Sequence, residues 1–166
     1  FGEGDEFFNV LAAQVKLFPL VPVVGSGKTR FQPIAADDVA RCIVDACEKE
    51  DTVGRTFEVG GPTYITYDGM LDLVAETLGA RIAKVHVPLP LVRPVVAIMQ
   101  ALVPRPPVTT EQLKMLHLDI VADLDSVEKS FGFLPQPMWG NLDYLKMVGL
   151  GDAIRTLPLG PRRAAV

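Results

Sequence analysis

Gly25-Ser-Gly-Lys-Thr-Arg-Phe-Gln-Pro-Ile-Ala-Ala-Asp-Asp-Val39 is the stretch on which the reading of this chain turns. Two close glycines mark a turn, Arg30 to Ile34 reads as a short strand, and Asp37 or Asp38 opens a helix. Pro33 cannot donate to a ladder, so this strand lies at a sheet edge or ends early. Gly-Lys-Thr within the stretch invites a phosphate loop, which requires a glycine five residues before the Gly-Lys pair. Pro22 stands there, without an amide hydrogen, and the segment leads into a strand instead of a helix. A nucleoside triphosphatase is set aside.

Helix signals lie on both sides. Phe7, Phe8, Leu11, Val15 and Phe18 recur at helical spacing, with Asp5 as N-cap and Pro19 as the stop. The helix from Asp37 or Asp38 puts Val39, Cys42, Ile43, Ala46 and Cys47 on one stripe. Another follows Thr66, carrying Met70, Leu71, Val74 and Leu78, with Gly79 placed for a left-handed C-terminal cap. Thr109-Thr-Glu-Gln112 is a capping box opening a helix through Leu113 and Leu116. Asp125-Ser-Val-Glu128 starts a further helix ending near Phe131-Gly132, and the last covers Asn141 to Val148. Thr56–Val59, closed by Gly60-Gly61-Pro62, and Ala83–Val87 are the remaining strands. Short strands alternating with helices give an α/β class.

A chain of 166 residues, 49% hydrophobic, suffices for one domain with a core, and its net charge of −4 argues against a nucleic-acid partner. Arg162-Arg163 falls in a terminal tail. Cys42 and Cys47, five residues apart in one helix, are not placed to bridge each other and read as two small buried hydrophobes in a reducing compartment. His86 and His117 are too far apart in sequence for a metal-ligand motif, so no metal site is expected. The run Val87–Val103 is broken by Arg93 and three prolines and falls short of the about 20 apolar residues needed to span a bilayer. Its Leu89–Val103 part is apolar all round, which fits a helix covered on every side or one bordering an apolar ligand or a membrane surface.

No dinucleotide fingerprint survives inspection. Gly2/Gly4, Gly25/Gly27 and Gly149/Gly151 are followed by Phe7, Arg30 and Ile154 where the third glycine belongs. No tyrosine has a lysine four residues later, so neither catalytic nor cofactor-binding residues are assigned in this chain. Arg30 and Gln32 are the candidate substrate-binding residues. A guanidinium beside a glycine turn suits a phosphate, carboxylate or carbonyl, while a solvated edge charge or a pair with Asp38 explains Arg30 equally. Asp38 itself fits a first-turn acid on the helix dipole.

In order, these pieces resemble the C-terminal part of extended and atypical short-chain dehydrogenase/reductase proteins, the NAD-dependent epimerase/dehydratase family. Phe1-Gly-Glu-Gly-Asp5 is similar to the family's Phe/Tyr-Gly-Pro-Gly-Asp loop, with Glu3 for proline. Gly25, Gly27, Arg30, Ile34 and Asp38-Val-Ala40 match its Gly-x-Gly…Arg…Val-x-x-Asp-Val-Ala stretch, and Thr56-Phe-Glu-Val-Gly-Gly-Pro62 its Tyr-x-x-Gly-Gly-Pro turn. Gln32-Pro33 and Pro104–Leu113 resemble the branch of the NADPH-binding accessory subunit of respiratory complex I.

The resemblance implies that residues 1–150 form the substrate-side lid of a Rossmann-type protein and 151–166 a tail. A first half carrying NAD or NADP would precede Phe1, so this chain alone is expected to bind no cofactor and to be inactive. Two functions follow from it. One is the cleft-shaping part of an NAD(P)-dependent epimerase/dehydratase or reductase; the other is a non-catalytic NADPH-binding scaffold. Expected partners are the first half, a small-molecule substrate and a second copy, in the cytoplasm, with peripheral membrane or respiratory-complex association.

Overall fold

A computed structural model describes residues 1–102, 118–149 and 151. The capping-box helix at Thr109, His117 and the Arg162-Arg163 tail lie outside them.

The first helix, α1 (Glu6–Leu17), is capped as its sequence requires: the Asp5 carboxylate accepts the amides of Phe7 and Phe8. Its apolar stripe of Phe8, Leu11, Ala12 and Val15 packs on α3 (Tyr67–Thr77), which contributes Met70, Leu71 and Val74. Thr66 caps α3 by accepting the Gly69 amide, and Gly79 follows in the left-handed region at φ 63°. Under this pair runs β1 (Leu20–Val24), parallel to β4 (Ala83–Val87) in the register Leu20↔Ala83 to Val24↔Val87.

β1 was not among the expected strands, because Pro22 sits at its centre. Among the described residues this sheet has two strands, so each is an edge and a residue without an amide hydrogen is tolerated there. The alternation shows the strand instead: Val21 and Val23 are fully buried, while Leu20 is 56% exposed.

Met138, Leu142 and Leu145 close this core from a 3-10 turn at Asp143–Met147 and the residues before it. The expected α-helix from Asn141 to Val148 is thus replaced by 3-10 geometry. The Lys16 ammonium, its pKa lowered by burial, donates to Leu145 O and Val148 O and ties α1 to the end of this short turn.

Two further units complete the chain. α2 (Ala36–Glu48) packs Cys42 against Val127 and Phe131 of α5 (Ser126–Phe131) and against Phe133. Phe57 and Val59 lie against the same cluster, but Thr56–Val59 forms no strand: alternate burial suffices to hold it, and it has no ladder partner among the described residues. Cys47 and Ile43 turn out to be exposed, so the apolar stripe of α2 is narrower than its sequence indicates. α4 (Leu89–Leu102) tolerates Pro94 and turns Leu89, Val92 and Val96 inward on Val24, while Leu91 is 64% exposed. Among its described side chains the helix is therefore not covered on every side. No helix among the described residues is long and apolar enough to cross a membrane.

Candidate functional site

The glycine turn after β1 delivers Arg30 to the surface. Gly25 and Gly27 adopt φ 81° and 68°, and a Cβ on Gly27 would collide with the Asp68 carboxylate. Asp68 N donates to Gly27 O and Tyr67 N to Thr29 O, so the turn is fastened to the first turn of α3. Asp68 also contacts His86 Nε2 at 2.9 Å, and Lys84 pairs with Asp72 beside it. This strip joins the turn to β4.

From there the chain enters β2 (Arg30–Phe31), which pairs antiparallel with β3 (Ile65–Thr66) and forms an isolated parallel bridge from Phe31 to Ile120. Arg30 is thereby placed at a three-way junction of β2, β3 and residues 119–122. Its partner is Asp119, not Asp38. Nε and Nη2 both donate to Asp119 Oδ2 at 2.8 Å, and the Arg30 amide donates to Oδ1 at 2.8 Å. These bonds hold the Asp119 carboxyl below the usual carboxylate range. The guanidinium also lies 5.6 Å from the centre of the Tyr64 ring. Beyond Tyr64 an open cleft of about 420 Å³ is lined by Asp123, Leu124, Asp125 and Lys129.

Gln32, by contrast, faces inward and is 9% exposed. Its amide donates to Gly61 O at 2.7 Å and its carbonyl accepts Ala122 N at 2.6 Å. Gly60 and Gly61 permit this close approach, since a Cβ on Gly60 would strike the Gln32 amide and one on Gly61 would strike Pro33 O. Both members of the sequence-assigned pair therefore belong to one corner, Arg30 outside and Gln32 beneath it.

Asp38 is 6% exposed and accepts the Gln136 amide at 2.6 Å, tying α2 to the segment after α5. Near this tie a second cavity, about 380 Å³, lies between the Phe1-Gly-Glu loop, the start of α2 and Asn141–Tyr144. Tyr144 borders it and accepts the Gly2 amide at 3.3 Å. Sequence reasoning missed Asp119, Tyr64 and Tyr144, because none carries a local motif; their roles arise from separations of 34 to 142 residues.

The Gly25–Gly27 turn opens into β2 and not into a helix N-terminus, so the amide array and dipole that hold dinucleotide phosphates are missing from it. Among the described residues no group of three His, Cys, Asp or Glu side chains is arranged to hold a metal.

No family model matches the chain. Among curated proteins, NADH dehydrogenase (ubiquinone) 1 alpha subcomplex subunit 9, mitochondrial, of Rattus norvegicus is 33% identical over 146 residues, 83% of this chain and 37% of that protein. The protein of the same name from Arabidopsis thaliana is 28% identical over 119 residues, 71% of this chain and 30% of its own length. The chain thus spans about a third of the length of these relatives. Among solved structures, UDP-glucose 4-epimerase of Thermotoga maritima superposes with a TM-score of 0.57 at 17% identity, covering 95% of this chain and 44% of the epimerase. The protein gox2253 does so at 0.54 and 23%, covering 87% of this chain and 41% of its own. In sequence the chain is similar to the alpha subcomplex subunit 9 proteins and in fold to UDP-glucose 4-epimerase, in line with its resemblance to extended short-chain dehydrogenase/reductase proteins.

Proposed function

We propose that this chain is the substrate-side portion of a nicotinamide-nucleotide-binding protein that serves a respiratory NADH dehydrogenase as a non-catalytic, NADPH-binding subunit. The observation that carries the reading is that its curated relatives bear the name of an NADH dehydrogenase subunit, in organisms as distant as rat and Arabidopsis thaliana. Residues 1–150 form the lid, residues 151–166 a tail, and NAD or NADP belongs to a preceding half. Arg30 supplies a contact to an anionic group of substrate or cofactor, and Gln32 supports that contact from beneath.

A second reading, an NAD(P)-dependent epimerase/dehydratase or reductase whose cleft this chain shapes, is favoured by the half-exposed Arg30 guanidinium beside Tyr64. One experiment separates the two. The parent protein, tagged at its own locus, is resolved by native electrophoresis of solubilised membranes and stained for NADH-oxidising activity. Comigration with that activity, and no turnover of sugar nucleotides by the purified protein, is the expected outcome. A freely migrating protein that turns over a sugar nucleotide with NAD(P) reverses the choice.

A further inference from the structure

Charge is unevenly distributed along this acidic chain. None of its 20 aspartates and glutamates falls within residues 7–36 or 77–110, while seven of its 16 lysines and arginines do. Those two stretches supply β1, β4 and α4. The sheet they build has unlike faces. Val21 and Val23 are fully buried toward α1 and α3, and on the same side Lys84 reaches Asp72 and His86 reaches Asp68, both on α3. The opposite face is apolar throughout: Leu20, Pro22 and Val24 lie beside Ala83, Val85 and Val87.

α4 covers only the Val24 end of that face, where Leu89, Val92 and Val96 pack. Leu20, Pro22, Ala83 and Val85 stay exposed, and α4 itself exposes Pro90, Leu91 and Pro94 to solvent. Arg81, just before β4, and Arg93 on α4 are also exposed, and no carboxylate of the described residues lies within ion-pair distance of either. Open apolar side chains beside uncompensated bases match the boundary of an anionic bilayer, where acyl chains receive the former and phosphate headgroups the latter. Pro22, Pro90 and Pro94 add no amide hydrogen that would have to give up water there. A second copy suits the face poorly, because a two-fold contact sets these arginines against the same arginines.

We infer that α4 and the open part of the sheet beside it dock on an anionic lipid bilayer, with Leu20, Val85 and Leu91 entering the boundary and Arg81 and Arg93 meeting the headgroups. The contact is with the surface, since no helix among the described residues is long and apolar enough to cross. It holds whichever of the two functions above is correct.

The test is flotation of the 166-residue chain with vesicles of phosphatidylcholine alone, or of phosphatidylcholine and phosphatidylglycerol in equal parts, at low and high salt. Binding to the mixed vesicles alone, weakened by salt, is the expected result. Leu91→Gln should weaken it about tenfold, the order set by leaving one leucine in water. Arg81→Gln combined with Arg93→Gln should weaken it about twentyfold, from about fivefold per base near a charged surface. Arg55→Gln combined with Lys129→Gln, outside the acid-free stretches, should change it by less than about twofold. All five positions are exposed, so these variants should fold, which their melting temperatures check. Equal loss in the Arg55 and Lys129 pair overturns the face in favour of net charge. Equal binding to both kinds of vesicle overturns the anionic partner, and binding to neither overturns the bilayer. A dimer in sedimentation that Leu91→Gln dissolves, without vesicle binding, overturns it in favour of a second copy.

Discussion

The α1–α3 core and the Arg30 corner are built on opposite principles. In the core, Leu11, Met70, Leu71 and Val74 are 1% exposed or less, and apolar side chains from α1, β1, β3, α3 and residues 138–145 interlock. At the corner, two short strands and residues 119–122 are joined by single backbone bonds and by Gln32, Tyr64 and Asp119 side chains. Apolar burial is nondirectional and large, whereas each exposed polar contact adds little net stability but prescribes a geometry. Stability and prescribed geometry are therefore carried by different parts of the molecule. Mutations should separate them.

The largest effect belongs to the core. Leu71→Ala removes a fully buried side chain between α3 and its neighbours and should destabilise the chain by about 2–5 kcal/mol. Arg30→Ala, removing a surface pair, should cost less than about 1 kcal/mol. Urea unfolding of both variants measures the contrast. If Arg30→Ala proves as damaging as Leu71→Ala, the corner is a structural keystone and the division between the two regions collapses.

Asp38 sharpens the comparison, because it is a polar tie inside the buried part. Asp38→Ala removes the acceptor of the Gln136 amide and should cost about 1 kcal/mol, the net worth of a partly buried hydrogen bond. Asp38→Asn retains an acceptor and should cost less. Equal losses for the two would mean that charge, and not the hydrogen bond to Gln136, is what α2 requires.

The same division governs what could be read from the sequence. α1, α2, α3, β4 and α5 are legible because their caps and periodicities are local: Asp5, Thr66, Gly79 and Gly132 stand where helix ends demand them. β1 was concealed by Pro22, and Thr56–Val59 read as a strand because alternation reports burial and not ladder partners. The corner was half legible. Arg30 and Gln32 follow from the glycine turn, but Asp119 reaches Arg30 across 89 residues. Nothing in local spacing encodes that distance.

The smallest effect lies at the seam between the core and the Phe1-Gly-Glu loop. Burial, and secondarily the Asp5 charge, push the Tyr144 hydroxyl up to about 12, although its hydrogen bond from the Gly2 amide pulls the other way. The folded state thus holds this proton more tightly than the unfolded chain, whose tyrosine titrates near pH 10. Stability from the neutral phenol is complete below about pH 10 and is lost as pH rises through about 12. Tyr67, raised mainly by burial, adds to the same alkaline decline, so the decline of the unaltered chain alone does not isolate Tyr144. Tyr144→Phe removes one titration and leaves the other: its melting temperature should fall less steeply between about pH 10 and 12 than that of the unaltered chain. At neutral pH the variant should be only slightly less stable, because Gly2 N loses an acceptor at a site that water reaches. Parallel alkaline slopes for the two proteins would show that Tyr144 ionises freely in the folded state, and that the seam opens before the core does.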